Sequence, residues 1–231
     1  EVLYLEIKGK ETLELGKQII RLATKKGVVP FWYYNDESLI RQWVGSATDD
    51  QHKIQAELHL KLMERADAYI GLRGSDNPFD LADIPQKQID QYNALFYKPV
   101  HLEERVKRTR WVVLRYPNNA MAQLAQTSQE SFEDFYFDVC CADYAKMSKA
   151  QDKLHALMES TDKVRIVSPG TDLNFSIKGI KSKKCDGHRN IPDGEVYTVK
   201  VDLSSILAGA LLAYPYQTYD NIAPLDRTSK S

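Results

Sequence analysis

The stretch RWVVLRYP, Arg110–Pro117, decides the fold class of this chain. Its centre is the apolar run Trp111–Leu114, which is rich in strand-favouring residues and too apolar for an exposed segment. Helical patterns precede it at Gln86–Tyr97 and follow it at Ala120–Ala125. A buried strand between helices is typical of a βαβ unit, in which right-handed crossovers connect parallel strands. We therefore predict an α/β fold with a mainly parallel sheet and helices on both faces.

Three earlier segments show the same strand character, and helical patterns separate them. Pro30 lies in the second of these segments, and a proline cannot donate to a strand ladder, so we place that strand near an edge or a strand start. The four predicted strands lie near residues 2–7, 29–34, 67–72 and 111–116. The other predicted helices are Glu11–Lys26, one capped by Asp36, one capped by Asp49 or Asp50 that ends at Arg65, Glu130–Val139 and Lys149–Met158.

The pattern changes from Lys163 onward, where strands close together in sequence replace the alternation with helices. Lys163–Ser168 and Leu173–Gly179 both have strand character and are separated by a few polar residues. This change predicts a domain boundary near residue 180. We expect an amino-terminal α/β domain over residues 1–180 and the incomplete start of a β-rich domain over residues 181–231.

Composition excludes several classes of protein. The chain has 31 basic and 32 acidic side chains, a net charge of -1, and we expect no nucleic-acid partner because such proteins usually carry a basic surplus. We also expect no membrane partner, since no segment approaches the roughly 18 apolar residues of a membrane helix. The three cysteines, Cys140, Cys141 and Cys185, form no CxxC pair, which favours a reducing, cytoplasmic setting over a zinc ribbon or a disulfide framework.

An acidic, aromatic helix is predicted within ESFEDFYFDVCCADY, Glu130–Tyr144. Asp134 and Asp138 lie one helical turn apart and can bind a cation, but such pairs are more often simply solvated. We predict that Glu133, Asp134 and Asp138 hold no catalytic metal, because no histidine or further acid is near enough in sequence. The predicted core side chains are Phe132, Phe135, Tyr136 and Val139.

A single carboxylate, Glu195, stands at the start of a predicted strand in RNIPDGEVYT, Arg189–Thr198. It follows a Pro-Asp-Gly turn, and such turns are ordinary features of hairpins and loops. The residues alone leave two interpretations open, an ordinary turn or an acidic site. The five histidines form no HExxH pattern, and the chain has no GxSxG nucleophile elbow.

Several long strings, taken in order and spacing, resemble one family. They closely resemble the thermophilic-type metallo-aminopeptidases, the group of aminopeptidases T and S, from about Tyr33 to Thr198. The strings are GSDNPFDLADIP (Gly74–Pro85), TRWVVLRYPNNAMAQLAQTSQESFEDFYFDVCCADY (Thr109–Tyr144), SPGTDLNFSIKG (Ser168–Gly179) and HRNIPDGEVYT (His188–Thr198).

The resemblance implies a function and one site residue. Family members have an amino-terminal α/β domain and a carboxy-terminal catalytic domain with two divalent metal ions, for which zinc, cobalt and magnesium are the candidates. By resemblance Glu195 is one metal ligand, the substrate is a peptide, and the protein is a homodimer. Paired ions would activate water and the scissile carbonyl. No catalytic residue besides the ligand is assigned, and the substrate-binding residues stay undetermined.

The chain departs from the family after Glu195. The remaining ligands of the family come later, whereas residues 196–231 contain no histidine and no second glutamate. We therefore expect a partial aminopeptidase chain that lacks most metal ligands and is inactive alone. The alternative is a catalytically inactive α/β module of the same family that acts by binding or oligomerisation.

Overall fold

The computed structural model describes residues 1–198. Its contacts divide the chain into two compact units. The sheet unit comprises residues 1–141 together with Arg189–Pro192, and the hairpin unit comprises Ala142–His188 and the described residues from Asp193 onward. The predicted division into residues 1–180 and 181–231 stays a prediction, because most of the second range lies outside the described residues.

The sheet unit contains five parallel strands, which confirms the predicted fold class. Numbered along the chain, they are β1 (Val2–Lys8), β2 (Val29–Asn35), β3 (Ala68–Arg73), β4 (Arg110–Arg115) and β8 (Asn190–Ile191). Their order is β2-β1-β3-β4-β8, and every neighbouring pair is parallel. The strand that contains Pro30 lies at one edge, as predicted. The two-residue strand β8 was not predicted.

Helices connect the strands of this unit. They are α1 (Leu13–Lys25), α2 (Glu37–Ser46), α3 (Asp49–Arg65), α4 (Gln86–Tyr92), a π-helix (Asn93–Arg105), α5 (Val106–Arg108), α6 (Asn119–Leu124) and α7 (Gln129–Cys140). Asp36 caps α2 as predicted, since its carboxylate accepts a hydrogen bond from the Ser38 backbone N–H. The cap of α3 is Thr48 instead of Asp49 or Asp50, because Thr48 and Gln51 form a capping box.

The core lies on both faces of the sheet. Alternate residues of β1 point to opposite faces, so Leu3, Leu5 and Ile7 pack against α1 while Tyr4 packs against α3 and the π-helix. Trp111 of β4 is buried on the same face as Tyr4. Coverage on both faces explains why the central strands β1 and β3 read as nearly continuous apolar runs, whereas the edge strand β2 is largely exposed.

The prediction for the acidic helix α7 is wrong in one respect. Tyr136 is buried and stacks on Phe132, but Phe135 is 62% exposed. Neighbouring helical residues are about 100° apart around the axis, so Phe135 leaves the narrow buried face. Asp134 and Asp138 are exposed, and Glu133 accepts a hydrogen bond from Gln129. That these acids hold no catalytic metal stays a prediction.

The hairpin unit contains one helix and two antiparallel pairs among its described residues. Its elements are α8 (Tyr144–Ser160), β5 (Lys163–Ser168), β6 (Thr171–Ser176), β7 (Ser182–Lys184) and β9 (Val196–Thr198), with β5 paired to β6 and β7 to β9. Gly170, at φ 77°, forms the turn of the first pair and places β6 earlier than the predicted range Leu173–Gly179. Within residues 1–198, no helix is both long and apolar enough to cross a membrane.

Candidate metal centre

The pairing of β7 with β9 brings Cys185 opposite Glu195. Lys184 pairs with Val196 at the end of the ladder, and the next position is closed by a hydrogen bond of 2.8 Å from the Cys185 backbone N–H to the Glu195 carbonyl. Residues directly opposite each other on antiparallel strands project to the same face. The glutamate predicted to stand at the start of a strand therefore faces a thiol.

Asp193 joins them from the turn before β9. In an extended segment, residues two apart lie on the same side, so Asp193 and Glu195 share a side while position 194 lies between them. That position is Gly194, with a φ of 152°, and an added Cβ there would contact the Met147 sulphur at 3.5 Å. The glycine permits this backbone conformation, which side-chain-bearing residues rarely adopt.

The three side chains form a cluster whose composition suits a divalent metal ion. The Cys185 Sγ and carboxylate oxygens of Asp193 and Glu195 all lie within 4.8 Å of one another. Donors that share a zinc ion lie about 2.0–2.3 Å from it, so small side-chain rotations would bring these three onto one ion. Cys185 and Asp193 are half-buried, and Glu195 is exposed. We call these residues the thiol–carboxylate cluster.

The electrostatics of the cluster favour a cation. Burial, then the charges of Asp193 and Glu195, raise the pKa of the Cys185 thiol to about 12. Burial and the charge of Asp193 raise the pKa of Glu195, and burial with the charge of Asp186 raises the pKa of Asp193. Asp193 thus opposes the ionisation of Glu195, and both carboxylates oppose that of the Cys185 thiol, whose own hydrogen bonds lower the pKa of the two carboxylates in part. A divalent ion at this position would stabilise the ionised forms of these groups and lower their pKa values.

The backbone around the cluster is held by hydrogen bonds. Gln151 of α8 is only 7% exposed, and its Nε2 donates to the carbonyl oxygens of Cys185 at 2.9 Å and Glu195 at 3.3 Å. One carboxylate oxygen of Asp193 accepts a hydrogen bond of 2.9 Å from the Gly187 backbone N–H. Bonds of this kind fix the orientation of ligands before an ion arrives.

A neighbouring serine and histidine do not form a nucleophilic site. The Ser182 Oγ lies 2.6 Å from His155 Nδ1, which is the contact expected between a nucleophile and its base. Glu159, however, accepts its hydrogen bond from Ser182. In a catalytic triad the acid accepts a hydrogen bond from the base and orients it. Here the acid is bonded to the serine instead of the histidine, so the three residues do not form a triad.

The structure extends the sequence prediction for this site. Glu195 directly precedes β9, as its position before a predicted strand implied, its role as a metal ligand stays a prediction, and the two side chains beside it were missed. Cys185 was judged only by its lack of a CxxC partner, and Asp193 was interpreted as a turn residue. The signal that could have found them is the antiparallel pairing of SKKC (Ser182–Cys185) with EVYT (Glu195–Thr198). Glu133, Asp134 and Asp138 belong to the other unit.

Comparison with known proteins identifies the family. A search of curated proteins found no match. The family model described as thermophilic metalloprotease matches residues 4–204, which covers most of the chain and includes the thiol–carboxylate cluster. The function in common is that of a metallopeptidase, which implies a divalent metal ion. The chain therefore belongs to the thermophilic metalloprotease family.

Proposed function

We propose that this protein is a metal-dependent aminopeptidase that releases amino-terminal residues from peptides. The observation that carries the proposal is the position of Glu195, the glutamate of the PDGEVYT string, beside a second carboxylate and a thiol. The preference for the amino terminus is supported by the resemblance to the aminopeptidase T and S group. Family membership alone supports peptide hydrolysis in general.

The residues of the cluster divide the work of such a site. Glu195 would bind the ion through its carboxylate, and its exposure leaves the site open to a peptide. Asp193 would add a second carboxylate whose orientation is fixed by the Gly187 N–H. When bound, the ion supplies Lewis-acid activation of water and of the scissile carbonyl.

The number of donors limits what the described residues can hold. Three donors can complete a catalytic site for one ion, with water in the remaining position, but they are too few for two ions. A pair of zinc, cobalt or magnesium ions would need ligands beyond residues 1–198 or from a second chain. Because the resemblance implies paired ions, and the described donors can hold only one, we also propose that the 231-residue polypeptide is inactive alone. The homodimer and the cytoplasmic setting stay predictions from the sequence.

The test is an assay of metal-dependent peptide cleavage. The full-length protein is treated with a chelator, supplied with zinc, cobalt or magnesium, and given unblocked and amino-acetylated dipeptides. We expect release from the unblocked substrates alone, and Glu195→Gln should lower it at least about 100-fold, the upper end for losing an outer-shell partner. Glu133→Gln, an acid outside the cluster, is the matched control and should keep full activity.

The same assay decides the alternative. Absence of release with every metal would favour the inactive α/β binding or oligomerisation module. Full activity of Glu195→Gln would refute the assignment of this glutamate as a ligand. Robust activity of the 231 residues alone would show that the described donors suffice.

A further inference from the structure

We infer that Cys185 is a thiolate ligand of the metal ion, and that the centre consequently takes a thiophilic ion such as zinc or cobalt in preference to magnesium. The inference rests on the proposed metal role of Glu195 and goes beyond it. The resemblance that assigned Glu195 says nothing about a sulphur ligand.

The position of Cys185 is set by strand pairing. Its backbone N–H closes the ladder of β7 and β9 against the Glu195 carbonyl, which places both side chains on one face. Its Sγ lies within 4.8 Å of carboxylate oxygens of Asp193 and Glu195. On that side the half-buried thiol faces two carboxylates, and it is hydrogen-bonded to Asp193.

Gln151 is the second observation that points to a built site. It is a buried polar side chain, and its amide N–H groups hold the carbonyls of two cluster residues, Cys185 and Glu195. Its Oε1 is also buried and has no hydrogen-bond partner among the described residues. Burying an amide costs free energy unless it is hydrogen-bonded, and here the N–H groups are bonded while the Oε1 is not. Here it fixes the two strand ends that carry the sulphur and the carboxylate.

The chemistry of the donors determines the choice of ion. Carboxylates and water suit magnesium, whereas thiolates select zinc and other softer ions. When the sulphur binds, the S–H bond breaks, the proton passes to solvent, and the sulphur lone pair forms the metal–sulphur bond. One sulphur among two carboxylates therefore shifts the preference of the site from magnesium toward zinc or cobalt.

The other cysteines provide the internal comparison. Cys140 ends α7 and Cys141 follows it, and within residues 1–198 neither belongs to a group of candidate metal ligands. Cys141 is exposed and Cys140 is half-buried. A thiol-specific effect of a metal should therefore appear at Cys185 and not at these positions.

The experiment is a cobalt titration of the chelator-treated, full-length protein. A thiolate ligand produces a sulphur-to-cobalt charge-transfer band in the near ultraviolet, which carboxylates do not give. We expect one such band, and Cys185→Ser should remove it and weaken zinc binding at least about 100-fold, the upper end for losing an outer-shell partner. Cys141→Ser should keep the band, and magnesium should displace cobalt poorly.

A second measurement does not depend on a variant that folds. Stoichiometric zinc should slow alkylation of Cys185 in the unmodified protein, followed by mass spectrometry of the labelled peptides, and leave Cys141 unchanged. Equal protection by magnesium, or cobalt bound without the band, would overturn the inference. The proposed function would survive that result if peptide release still depends on metal and on Glu195. A clear band without peptide release under any metal would support the thiolate ligand and reject the aminopeptidase.

Discussion

Both units of this protein contain acidic side chains with shifted pKa values, and the shifts of Glu6 and of the thiol–carboxylate cluster have opposite directions. In the sheet unit, Glu6 is buried and accepts hydrogen bonds from Arg73, 3.0 Å away, and from the Tyr69 hydroxyl. Burial raises the pKa of Glu6, but the Arg73 charge and the Tyr69 hydrogen bond hold it well below its usual range. In the thiol–carboxylate cluster, burial and neighbouring acids raise the pKa of every member.

The difference separates a structural acid from a candidate ligand. Glu6 is matched to the guanidinium of Arg73 within its own unit, so its charge stabilises the fold. The cluster sets negative groups against each other, so the ionised state gains most from an added cation. Raised pKa values at a half-open site are typical of functional positions, whereas lowered values occur in structural ion pairs as well.

The largest expected effect concerns the ion pair of Glu6 and Arg73 in the sheet unit. Arg73→Met should lower the free energy of unfolding by about 3 kcal/mol at pH 7, because it leaves the Glu6 charge buried and uncompensated. Urea unfolding measures the loss. Arg115 pairs with Arg73 in the register of β3 and β4 but is exposed, so Arg115→Met should change stability by no more than about 0.5 kcal/mol. Equal losses in the two variants would show that the Glu6 pair is not structural.

The second effect concerns the thiol–carboxylate cluster, where removal of an acid should not destabilise the protein. With chelator present, Glu195→Gln should be at least as stable as the unmodified protein, because it removes one of the mutually repelling charges. Zinc at 100 times its Kd should then stabilise the unmodified protein by about 2.7 kcal/mol and the variant far less. Thermal unfolding with and without zinc measures both. A variant that is markedly less stable without metal would place Glu195 among the structural acids.

A third, smaller effect concerns the residue that holds the cluster in place. Gln151→Ala removes the side-chain donor from the Cys185 carbonyl and one of the two hydrogen bonds to the Glu195 carbonyl, and should cost about 1–2 kcal/mol. Cobalt affinity should fall about 10-fold, at the low end for an outer-shell partner, with the near-ultraviolet band retained. Gln129→Ala, which removes an exposed amide from α7, is the control. Unchanged cobalt affinity in Gln151→Ala would mean that Gln151 is structural only.

Much of the sheet unit was predictable because its central strands β1 and β3 are covered on both faces. An apolar run such as Trp111–Leu114 has few alternatives to a covered strand, and Pro30 marks an edge for a simple hydrogen-bonding reason. Strand β8 was not predictable, because Asn190–Ile191 forms no run of its own and pairs with β4 only after the chain has returned. Phe135 shows the limit of periodicity, since one residue of helical rotation separates its exposed ring from the buried Tyr136.

The candidate site was also predictable from the sequence only in part. Glu195 was found through a long string shared with a family, which requires no knowledge of the fold. Cys185 becomes its neighbour only through the register of two three-residue strands, and such short strands have too few side chains to specify pairing in sequence. Asp193 was seen but interpreted as a turn residue, since turn formers and metal ligands are here the same residue type.

The smallest expected effect shows whether the raised pKa values belong to the cluster or to the whole hairpin unit. Glu159 lies in the same unit, but hydrogen bonds from the Ser182 backbone and hydroxyl, together with Lys181, lower its pKa from 4.5 to about 2. A pKa that is lower in the folded state stabilises the protein above pH 4.5, and this contribution is lost as the pH falls toward 2. Glu159→Gln should therefore be slightly less stable than the unmodified protein at pH 7, and the difference should disappear in acid.

Because Glu159 lies at the surface, the effect should be small and weaken with added salt. Glu64→Gln, which removes an exposed acid from α3, is the control for the loss of one surface charge. If the stability difference between Glu159→Gln and the unmodified protein instead grew as the pH fell, the pKa of Glu159 would be raised, as in the cluster. Raised pKa values would then be a property of the whole hairpin unit and would not mark the cluster as a metal site.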